Sequence, residues 1–214
     1  MQGGAGGGSS QFKIINHKSK MEKVVIIEYG AGNLFSVKTA LRRLGCEAVS
    51  SADADVIRGA DRVIFPGVGQ AAAAMRQLRA VGLDAVIPSL RVPVLGICLG
   101  MQMMCESSDE GDTEGLGIFP LRVREFGRES KVPHMGWNEI HGLKDSLFAG
   151  VEEGERVYFV HSFYVPVCEG TIATCDYQQE FSAAIRKDNF WGCQFHPEKS
   201  AGVGMQILEN FLKW

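Results

Sequence analysis

Several features that mark other classes of protein are absent from this sequence of 214 residues. No apolar run approaches the roughly 18 residues of a membrane-spanning helix, so the sequence does not predict an integral membrane protein. Basic residues are not in excess, since 22 lysines and arginines face 25 acidic residues, and this balance argues against nucleic-acid binding. No secretory signal is recognisable, and we therefore expect a cytoplasmic protein.

The cysteine pattern also excludes two kinds of site. None of the six cysteines belongs to a C-x-x-C pair, which argues against a structural zinc site. A disulfide framework is not expected either, because a reducing compartment keeps thiols free. Most of the six should therefore be small buried hydrophobic side chains. We expect no metal and no cofactor.

The first twenty residues differ in composition from the rest of the chain. They begin with the flexible Gly/Ser stretch "MQGGAGGGSS", and the adjoining segment "QFKIINHKSK" lacks the arginines of a transit peptide. We interpret residues 1–20 as a leader ahead of the protein, with Met21 as the natural start. Residues 21–214 have the length of one ordinary globular domain, with no internal repeat or linker that would divide them.

Strand and helix patterns alternate through the first half of this domain. The apolar runs "KVVIIEYGAGN", "DRVIFPGVG" and "VPVLGI" read as buried strands that end in Gly-rich turns. Helical spacing comes after each of them, in "NLFSVKTALRRLG", "QAAAAMRQLRAVG" and "CLGMQMMCES". This alternation predicts an α/β domain with a mostly parallel sheet, whose functional turns lie at the carboxyl ends of the strands.

The pattern changes from about Gly117 onward. The short runs "GIFPLRVREF", "VYFVHSFYVPV", "TIATCDY", "FSAAIRK" and "FWGCQF" are separated by turn residues and predict an antiparallel or mixed extension of the sheet. The last segment, "GVGMQILENFLKW", predicts a terminal helix.

Cys98 lies in the pattern G-x-C-x-G, between a buried strand and a predicted helix. This is a cysteine version of the nucleophile elbow, in which flanking glycines permit a sharp turn and keep side chains away from the thiol. The helix N-terminus would favour the reactive thiolate, and the Leu99 amide would be free to stabilise an oxyanion. Taken alone, the pattern also fits a core cysteine at a tight turn.

A candidate base lies near the other end of the chain, in "GCQFHPEKS". Pro197 favours extended geometry at the residue before it, so His196 and Glu198 can lie on the same side of the segment. The carboxylate would then hold the imidazole tautomer, as in a nucleophile–base–orienter triad. Alone, this segment fits a solvated surface loop better, and it is the combination with Cys98 that favours catalysis.

These two motifs together resemble those of the class I, triad-type glutamine amidotransferases. "EYGAGNL", "FPGVGQAAAAM", "PHMGWNEI" and "YFVHSFY" resemble, within that family, the glutaminase subunits of imidazole glycerol phosphate synthases. The resemblance covers residues 21–214. It implies a flavodoxin-like α/β domain that hydrolyses glutamine to glutamate and ammonia through a glutamyl thioester. It also implies a TIM-barrel cyclase partner, which uses the ammonia to form imidazole glycerol phosphate and the purine precursor AICAR in histidine biosynthesis.

The resemblance assigns roles to individual residues of this chain. It implies Cys98 as nucleophile, His196 as general base and acid, and Glu198 as its partner. The other implied roles are an oxyanion hole from backbone amides, contacts with the amino-acid end of glutamine, and contacts with the cyclase. The oxyanion hole falls on the amides of Val68 and Leu99. The contacts with glutamine fall on Gly69, Gln102, Ser162 and Phe163, and those with the cyclase fall on Asn33, Trp137 and Lys199.

Other interpretations of individual motifs are less well supported. "GVGQAA" fits a relaxed dinucleotide-binding pattern, but no acidic residue closes a second strand about twenty residues later. His134, His141 and His161 match no standard metal-ligand spacing and are better explained as hydrogen-bonded side chains. Elbow cysteines also occur in chaperones resembling DJ-1 and in cysteine peptidases, and the H-P-E segment argues against the former. Trp137 could belong to the core, although its polar neighbours favour a surface position.

Overall fold

The computed structural model describes residues 22–30, 32–127 and 131–214. The interpretation of residues 1–20 as a leader, with Met21 as the start, falls outside these ranges. Within them, no helix combines the length and the apolar character that crossing a membrane requires.

The described chain contains thirteen strands and six α-helices. The strands are β1 (Val24–Ile27), β2 (Val49–Ser51), β3 (Arg62–Gly67), β4 (Val94–Cys98), β5 (Cys105–Ser108), β6 (Thr113–Glu114), β7 (Phe119–Glu125), β8 (His134–Glu139), β9 (Arg156–His161), β10 (Phe163–Tyr164), β11 (Thr171–Tyr177), β12 (Gln179–Lys187) and β13 (Phe190–Cys193). The helices are α1 (Leu34–Arg43), α2 (Ala54–Arg58), α3 (Ala71–Ala80), α4 (Leu83–Val86), α5 (Leu99–Met103) and α6 (Ala201–Lys213).

Seven strands form the central sheet, in the order β11-β12-β13-β4-β3-β1-β2. The pairs from β13 to β2 are parallel, whereas β11 and β12 continue the sheet as an antiparallel hairpin. The predicted α/β fold, a mostly parallel sheet with an antiparallel extension, is therefore confirmed. The sequence places β13 in the antiparallel or mixed extension. In the structure β13 belongs to the parallel part of the sheet, because it pairs directly with β4.

Two smaller sheets accompany the central one. One has the order β10-β7-β5-β6, and the other is the antiparallel hairpin of β8 and β9. The hairpin pairs His134 with His161 at one end and Glu139 with Arg156 at the other. The strands of both sheets come from the second half of the chain. The exception is β5, which begins shortly after α5.

The inner strands of the central sheet are buried on both faces, because an apolar cluster covers each face. In β1, Val24 and Ile26 belong to one cluster, whereas Val25 and Ile27 belong to the other. Helices α1 and α6 contribute to the first cluster, and α3, α4 and α5 contribute to the second. This two-sided burial explains why the strands appear in the sequence as continuous apolar runs.

The first helix begins and ends as its sequence predicts. Asn33 caps the N-terminus, since its side-chain oxygen accepts a hydrogen bond from the Ser36 amide at 3.2 Å. Gly45 follows the last turn with a φ of 78°, a conformation that glycine adopts without strain.

The predicted helix in "CLGMQMMCES" was too long. The helix ends at Met103, and Cys105–Ser108 forms β5, which pairs with β6 and β7. Pairing with these later strands outweighs the local helical pattern, because tertiary contacts override weak propensities in short segments. The short elements β2, α2 and β8 also lie in segments for which no element was predicted.

Candidate active site

Cys98 ends the central strand β4 and precedes the first residue of α5. Its backbone has a φ of 54° and a ψ of −112°, a region that residues other than glycine rarely occupy. Such strain is maintained only where the surrounding packing determines the backbone, and it is common at nucleophile elbows. The side chain is buried, with only 7% of the residue exposed.

The two glycines of the elbow are required by close packing. A Cβ atom on Gly100 would lie 1.9 Å from the Phe65 carbonyl oxygen in β3. One on Gly96 would lie 2.4 Å from the Met104 methyl carbon. Neither site can hold a side chain without a shift of its neighbours, so α5 lies against the sheet and the thiol stands at the carboxyl end of β4.

The loop after β3 lies directly beside the elbow. Gly67 pairs with Cys98 in the parallel register, and a Cβ atom on Gly67 would lie 2.6 Å from the Gly100 nitrogen. Val68 and Gly69 come next, with Gly69 at a φ of 94°. The backbone of this loop therefore reaches the vicinity of the thiol.

His196 and Glu198 form a buried pair in the segment between β13 and α6. The imidazole Nδ1 and the carboxylate Oε1 are 2.8 Å apart, and the two side chains are 2% and 1% exposed. His196 is extended, with a φ of −100° and a ψ of 95°, whereas Glu198 lies in the 3₁₀ turn Pro197–Lys199. The extended backbone at His196 and the tight turn after it thus bring the imidazole and the carboxylate together.

The electrostatic environment favours a protonated His196. Burial lowers its pKa, but the neighbouring Cys98 sulfur and the Glu198 carboxylate outweigh burial and raise the pKa to about 9. Because Nδ1 faces Glu198, Nε2 is the ring atom available for proton exchange. Nε2 has no hydrogen-bond partner among the described residues.

Cys98 and His196 line the same cleft, which has a volume of about 330 Å³. Most of the residues assigned by resemblance also line this cleft. They come from the loop after β3, the elbow, α5 and the segment after β9, and from the segment between β13 and α6. They are Val68, Gly69, Cys98, Leu99, Gln102, Ser162, Phe163, His196 and Lys199. Asn33 and Trp137 do not line this cleft, and Glu198 lies behind His196.

Comparison with known proteins agrees with this arrangement. The family model described as "glutamine amidotransferase class-I" matches residues 25–214. The chain belongs to this family. It is 55% identical over 193 residues to the imidazole glycerol phosphate synthase subunit HisH of Bacteroides thetaiotaomicron, with 89% of this chain and 98% of that protein covered. The corresponding subunit of Colwellia psychrerythraea is 47% identical over 208 residues, with coverages of 89% and 92%.

Solved structures show the same fold at low sequence identity. A glutamine amidotransferase structure matches with a TM-score of 0.69 and 18% identity, covering 88% of this chain and 97% of that one. PurLQS from Thermotoga maritima matches with a TM-score of 0.67 and 16% identity, with coverages of 90% and 99%. At these identities the likeness concerns the α/β fold of the amidotransferase alone.

The three residues assigned to the cyclase contact lie on or near the surface of this amidotransferase. Trp137 is 50% exposed, which excludes the core position that its sequence left open, and its ring meets Tyr158 edge-on at 6.1 Å. The Lys199 ammonium lies 5.9 Å from the centroid of the same Tyr158 ring. Asn33 caps α1, which packs against the turn that carries Lys199.

The structure also reveals residues in or near the cleft of this amidotransferase that have no clear signal in the sequence. Glu110 lines the cleft, and its carboxylate accepts a hydrogen bond from the Ala71 amide at 2.8 Å, where α3 begins. The buried Tyr29 hydroxyl donates to the Pro66 carbonyl at 3.0 Å, at the base of the loop after β3. Neither has a motif of its own, although Tyr29 stands within "EYGAGNL".

Gln194 was not predicted either, although it stands two residues before His196. It is fully buried, and its Nε2 donates to the Cys98 sulfur at 3.7 Å. Its Oε1 accepts from Gln102 Nε2 at 2.9 Å. A glutamine within the apolar run "WGCQF" is the sequence signal that could have indicated it, because an amide that becomes buried is usually hydrogen-bonded.

Metal ligation finds no support in the described part of the chain, where no group of three acidic, cysteine or histidine side chains is arranged to bind an ion. His134 and His161 are buried and hydrogen-bonded to each other, whereas His141 is half exposed near Glu139 and Glu153. The loop after β3, which fits a dinucleotide pattern in sequence, lines the cleft beside Cys98.

We predict a stability difference between two glycines of α6. A Cβ atom on Gly204 would lie 1.9 Å from the Pro197 carbonyl oxygen, in the turn that carries Glu198, whereas one on Gly202 would meet nothing within 4 Å. Gly204→Ala should therefore destabilise the protein by about 1–3 kcal/mol, and Gly202→Ala should be neutral or slightly stabilising. Urea denaturation midpoints test this, and equal midpoints would contradict the packing argument.

Proposed function

We propose that this chain is the glutaminase subunit of an imidazole glycerol phosphate synthase, which supplies ammonia to a TIM-barrel cyclase. The observation that carries the chemistry is the cleft in which the strained Cys98 meets the buried pair of His196 and Glu198. The particular synthase is supported by relatives that bear this name and match over nearly their whole length.

The first half of the proposed reaction forms a thioester. Cys98 Sγ attacks the side-chain carbonyl carbon of glutamine, and the carbonyl oxygen becomes an oxyanion. Val68 and Leu99 both line the cleft with Cys98, and their backbone amides are the proposed donors to that oxygen. His196, protonated at Nε2, gives its proton to the leaving nitrogen, so that ammonia departs as the carbon–nitrogen bond breaks.

The second half releases glutamate. His196 Nε2 removes a proton from water, the resulting hydroxide attacks the thioester carbon, and the carbon–sulfur bond breaks to regenerate the Cys98 thiolate. Glu198 keeps the ring orientation throughout, because its bond to Nδ1 leaves Nε2 free for proton transfer. No cofactor takes part in this scheme.

The proposed binding site for the amino-acid end of glutamine is the substrate wall, made of Gly69, Gln102, Ser162 and Phe163. All four line the cleft, and they come from separate elements or turns apart from the neighbours Ser162 and Phe163. Gln102 is held in place, since its Nε2 donates to the Phe163 carbonyl at 2.9 Å. This bond ties the substrate wall to the helix that begins at the nucleophile.

The surface near the cleft is suited to a protein partner. Phe35 and Met135 are 77% and 61% exposed, and with the half-exposed Trp137 they present large apolar side chains to solvent. Large apolar side chains at the surface are a feature of protein interaction sites. Phe35 lies on α1 beside the proposed contact Asn33, and Met135 shares β8 with Trp137. Lys199 lines the cleft and also lies near Tyr158, whose ring contacts Trp137.

The test is glutamate release from glutamine by the full chain, alone and with the cyclase subunit of a related bacterium. We expect the complex to hydrolyse glutamine and to form imidazole glycerol phosphate with glutamine as the only nitrogen source. A complex that forms the product from ammonium salts but never from glutamine would overturn the proposed function.

A change at Glu198 should alter the pH dependence of the complex. Loss of the His196 proton near pH 9 should produce an alkaline limb in kcat/KM, because the protonated ring is needed for ammonia to leave. The Glu198 carboxylate raises this pKa, so Glu198→Gln should move the limb to lower pH while it retains an acceptor for Nδ1. The matched control is Glu209→Gln on α6, which should leave the limb in place. A limb that stays put or rises in Glu198→Gln would refute this role.

A further inference from the structure

Two buried histidines lie behind the substrate wall and are not used by the mechanism above. His134 in β8 and His161 in β9 are paired directly across the hairpin and are 3% and 6% exposed. His134 Nδ1 and His161 Nε2 are 3.0 Å apart. His161 also lines the cleft.

The hydrogen-bond partners determine the tautomer of both rings. The Phe163 carbonyl can only accept, and it lies 2.7 Å from His161 Nδ1, so this nitrogen carries a proton. In the neutral ring His161 Nε2 then accepts, and His134 Nδ1 must donate to it. The remaining nitrogen, His134 Nε2, accepts from the Asn138 side chain at 3.3 Å.

The orientation of Asn138 is fixed independently of the rings. Its Oδ1 accepts from the Glu139 amide at 2.9 Å, and its Nδ2 donates to the Asp176 carbonyl at 2.9 Å. The nitrogen of the side-chain amide therefore faces His134. Asn138 therefore donates to His134, His134 donates to His161, and His161 donates to the Phe163 carbonyl. This series requires the Nδ1–H tautomer of each neutral histidine.

The surroundings favour neutral rings. His134 stacks on Tyr177 and Phe159 with centroid distances of 4.0 Å and 4.7 Å, and His161 contacts the rings of Phe126 and Phe181. Burial lowers the pKa of His134 to about 4 and that of His161 to about 3. A second proton on either ring would also place two N–H groups against each other and break the chain of donors.

The chain of hydrogen bonds continues to the nucleophile. The Phe163 carbonyl accepts a second bond, from Gln102, whose Nε2 also donates to Gln194 Oε1. Gln194 Nε2 then donates to the Cys98 sulfur. The Phe163 carbonyl is thus the junction between the histidine pair and the two glutamines beside the thiol, and both of its lone pairs are occupied.

We propose that His134 and His161 are positioning residues, which hold the Phe163 peptide in the orientation that glutamine binding requires. The proposal rests on the proposed function, because it takes Phe163 and Gln102 as part of the glutamine site. The physical basis is that a carbonyl held by donors from two sides cannot rotate, so the substrate wall is already ordered before substrate enters. The pair acts through Phe163 and has no contact with the reacting atoms.

Substitutions at His161 separate positioning from simple structural support. His161→Phe keeps a ring of similar shape but removes the donor to Phe163. We expect the KM for glutamine of the complex to rise about tenfold, with kcat changed less than about twofold, which corresponds to the loss of about 1.4 kcal/mol of binding. In His161→Asn the amide nitrogen stands where Nδ1 stood, so KM should return to within about threefold of the unaltered protein.

Two further variants complete the comparison. His134→Phe leaves His161 in place but removes the donor that fixes its tautomer, so we expect a smaller rise in KM. The control His141→Phe changes an exposed histidine beyond the other end of the hairpin and should leave KM unaltered. If His161→Phe lowers the melting temperature but leaves KM unaltered, or if His161→Asn behaves like His161→Phe, the pair is only structural and the proposal fails.

A measurement on the unaltered chain tests the tautomers without any variant. Long-range proton–nitrogen NMR correlations should show both buried histidines neutral, with Nδ1 protonated and Nε2 bare. An Nε2–H tautomer at either ring would overturn the proposal. The proposed function fails by a different result, the lack of glutamine hydrolysis by the unaltered complex, so the two failures are distinguishable.

Discussion

Cys98→Ala is expected to reduce glutamine hydrolysis by the complex to the level of the assay blank. Without the thiol no glutamyl thioester can form, and no other cysteine lines the cleft of the described chain to replace it. The cyclase reaction supported by ammonium salts should continue, because it does not require the thioester. Glutamate release and product formation are measured on the same preparation.

The fold should survive this substitution because alanine occupies less space at the same buried position. The control is Cys168→Ala, which removes a half-buried thiol away from the cleft and should retain full glutaminase activity. Glutaminase activity in Cys98→Ala above a trace would refute the assignment of the nucleophile.

An electrophilic glutamine analogue gives an independent check on the same residue. It should label Cys98 and leave Cys105, Cys175 and Cys193 unmodified, since these three thiols are buried away from the cleft. Burial raises the pKa of all three thiols, that of Cys175 to about 12, so they remain protonated and unreactive at neutral pH. Peptide mapping after labelling would identify the modified cysteine.

His196→Ala is expected to lower the glutaminase rate of the complex by about 10²–10⁴-fold, the usual contribution of a positioned acid and base. In the proposed mechanism the loss arises in both half-reactions, because the same ring protonates the leaving ammonia and activates water. It should exceed the loss in Glu198→Gln, which retains a hydrogen-bond acceptor for Nδ1. Steady-state kinetics of the two variants in the complex decide the order.

The control for the histidine substitution is His141→Ala, since His141 is half exposed and lies outside the cleft. It should keep the full rate. A His196→Ala variant that is more active than Glu198→Gln would reverse the proposed roles of base and orienter.

The sequence predicts the parts of this site that depend on local geometry. The G-x-C-x-G pattern after a buried strand indicates an elbow once it is combined with the H-P-E segment, and the structure explains the second glycine, since a Cβ atom on Gly100 would collide with β3. His196 and Glu198 are two residues apart, so one extended residue and one turn bring them together. Strands β1, β3 and β4 are equally local in origin, because each is buried along its whole length and lies in an apolar run of the sequence.

Other parts of the site depend on contacts between distant segments and have no local signal. Gln102 and Gln194 are 92 residues apart in the chain, and only the pairing of β13 with β4 brings them together. The histidine pair likewise depends on the β8–β9 hairpin, whose first strand was not predicted. In "PHMGWNEI" an exposed Trp137 and a buried His134 follow no clean alternation of apolar and polar residues, so the periodicity on which a strand prediction relies is missing.

The direct backbone contact between Gly67 and Gly100 has a consequence for how this site tolerates change. In a library of single substitutions selected for growth without histidine, these two positions should accept no other residue, including alanine. Val68, which follows Gly67 but is open to solvent, should accept many side chains, because its proposed oxyanion donor is a backbone amide, which almost every amino acid has. Proline, which has no backbone N–H, should be the exception there.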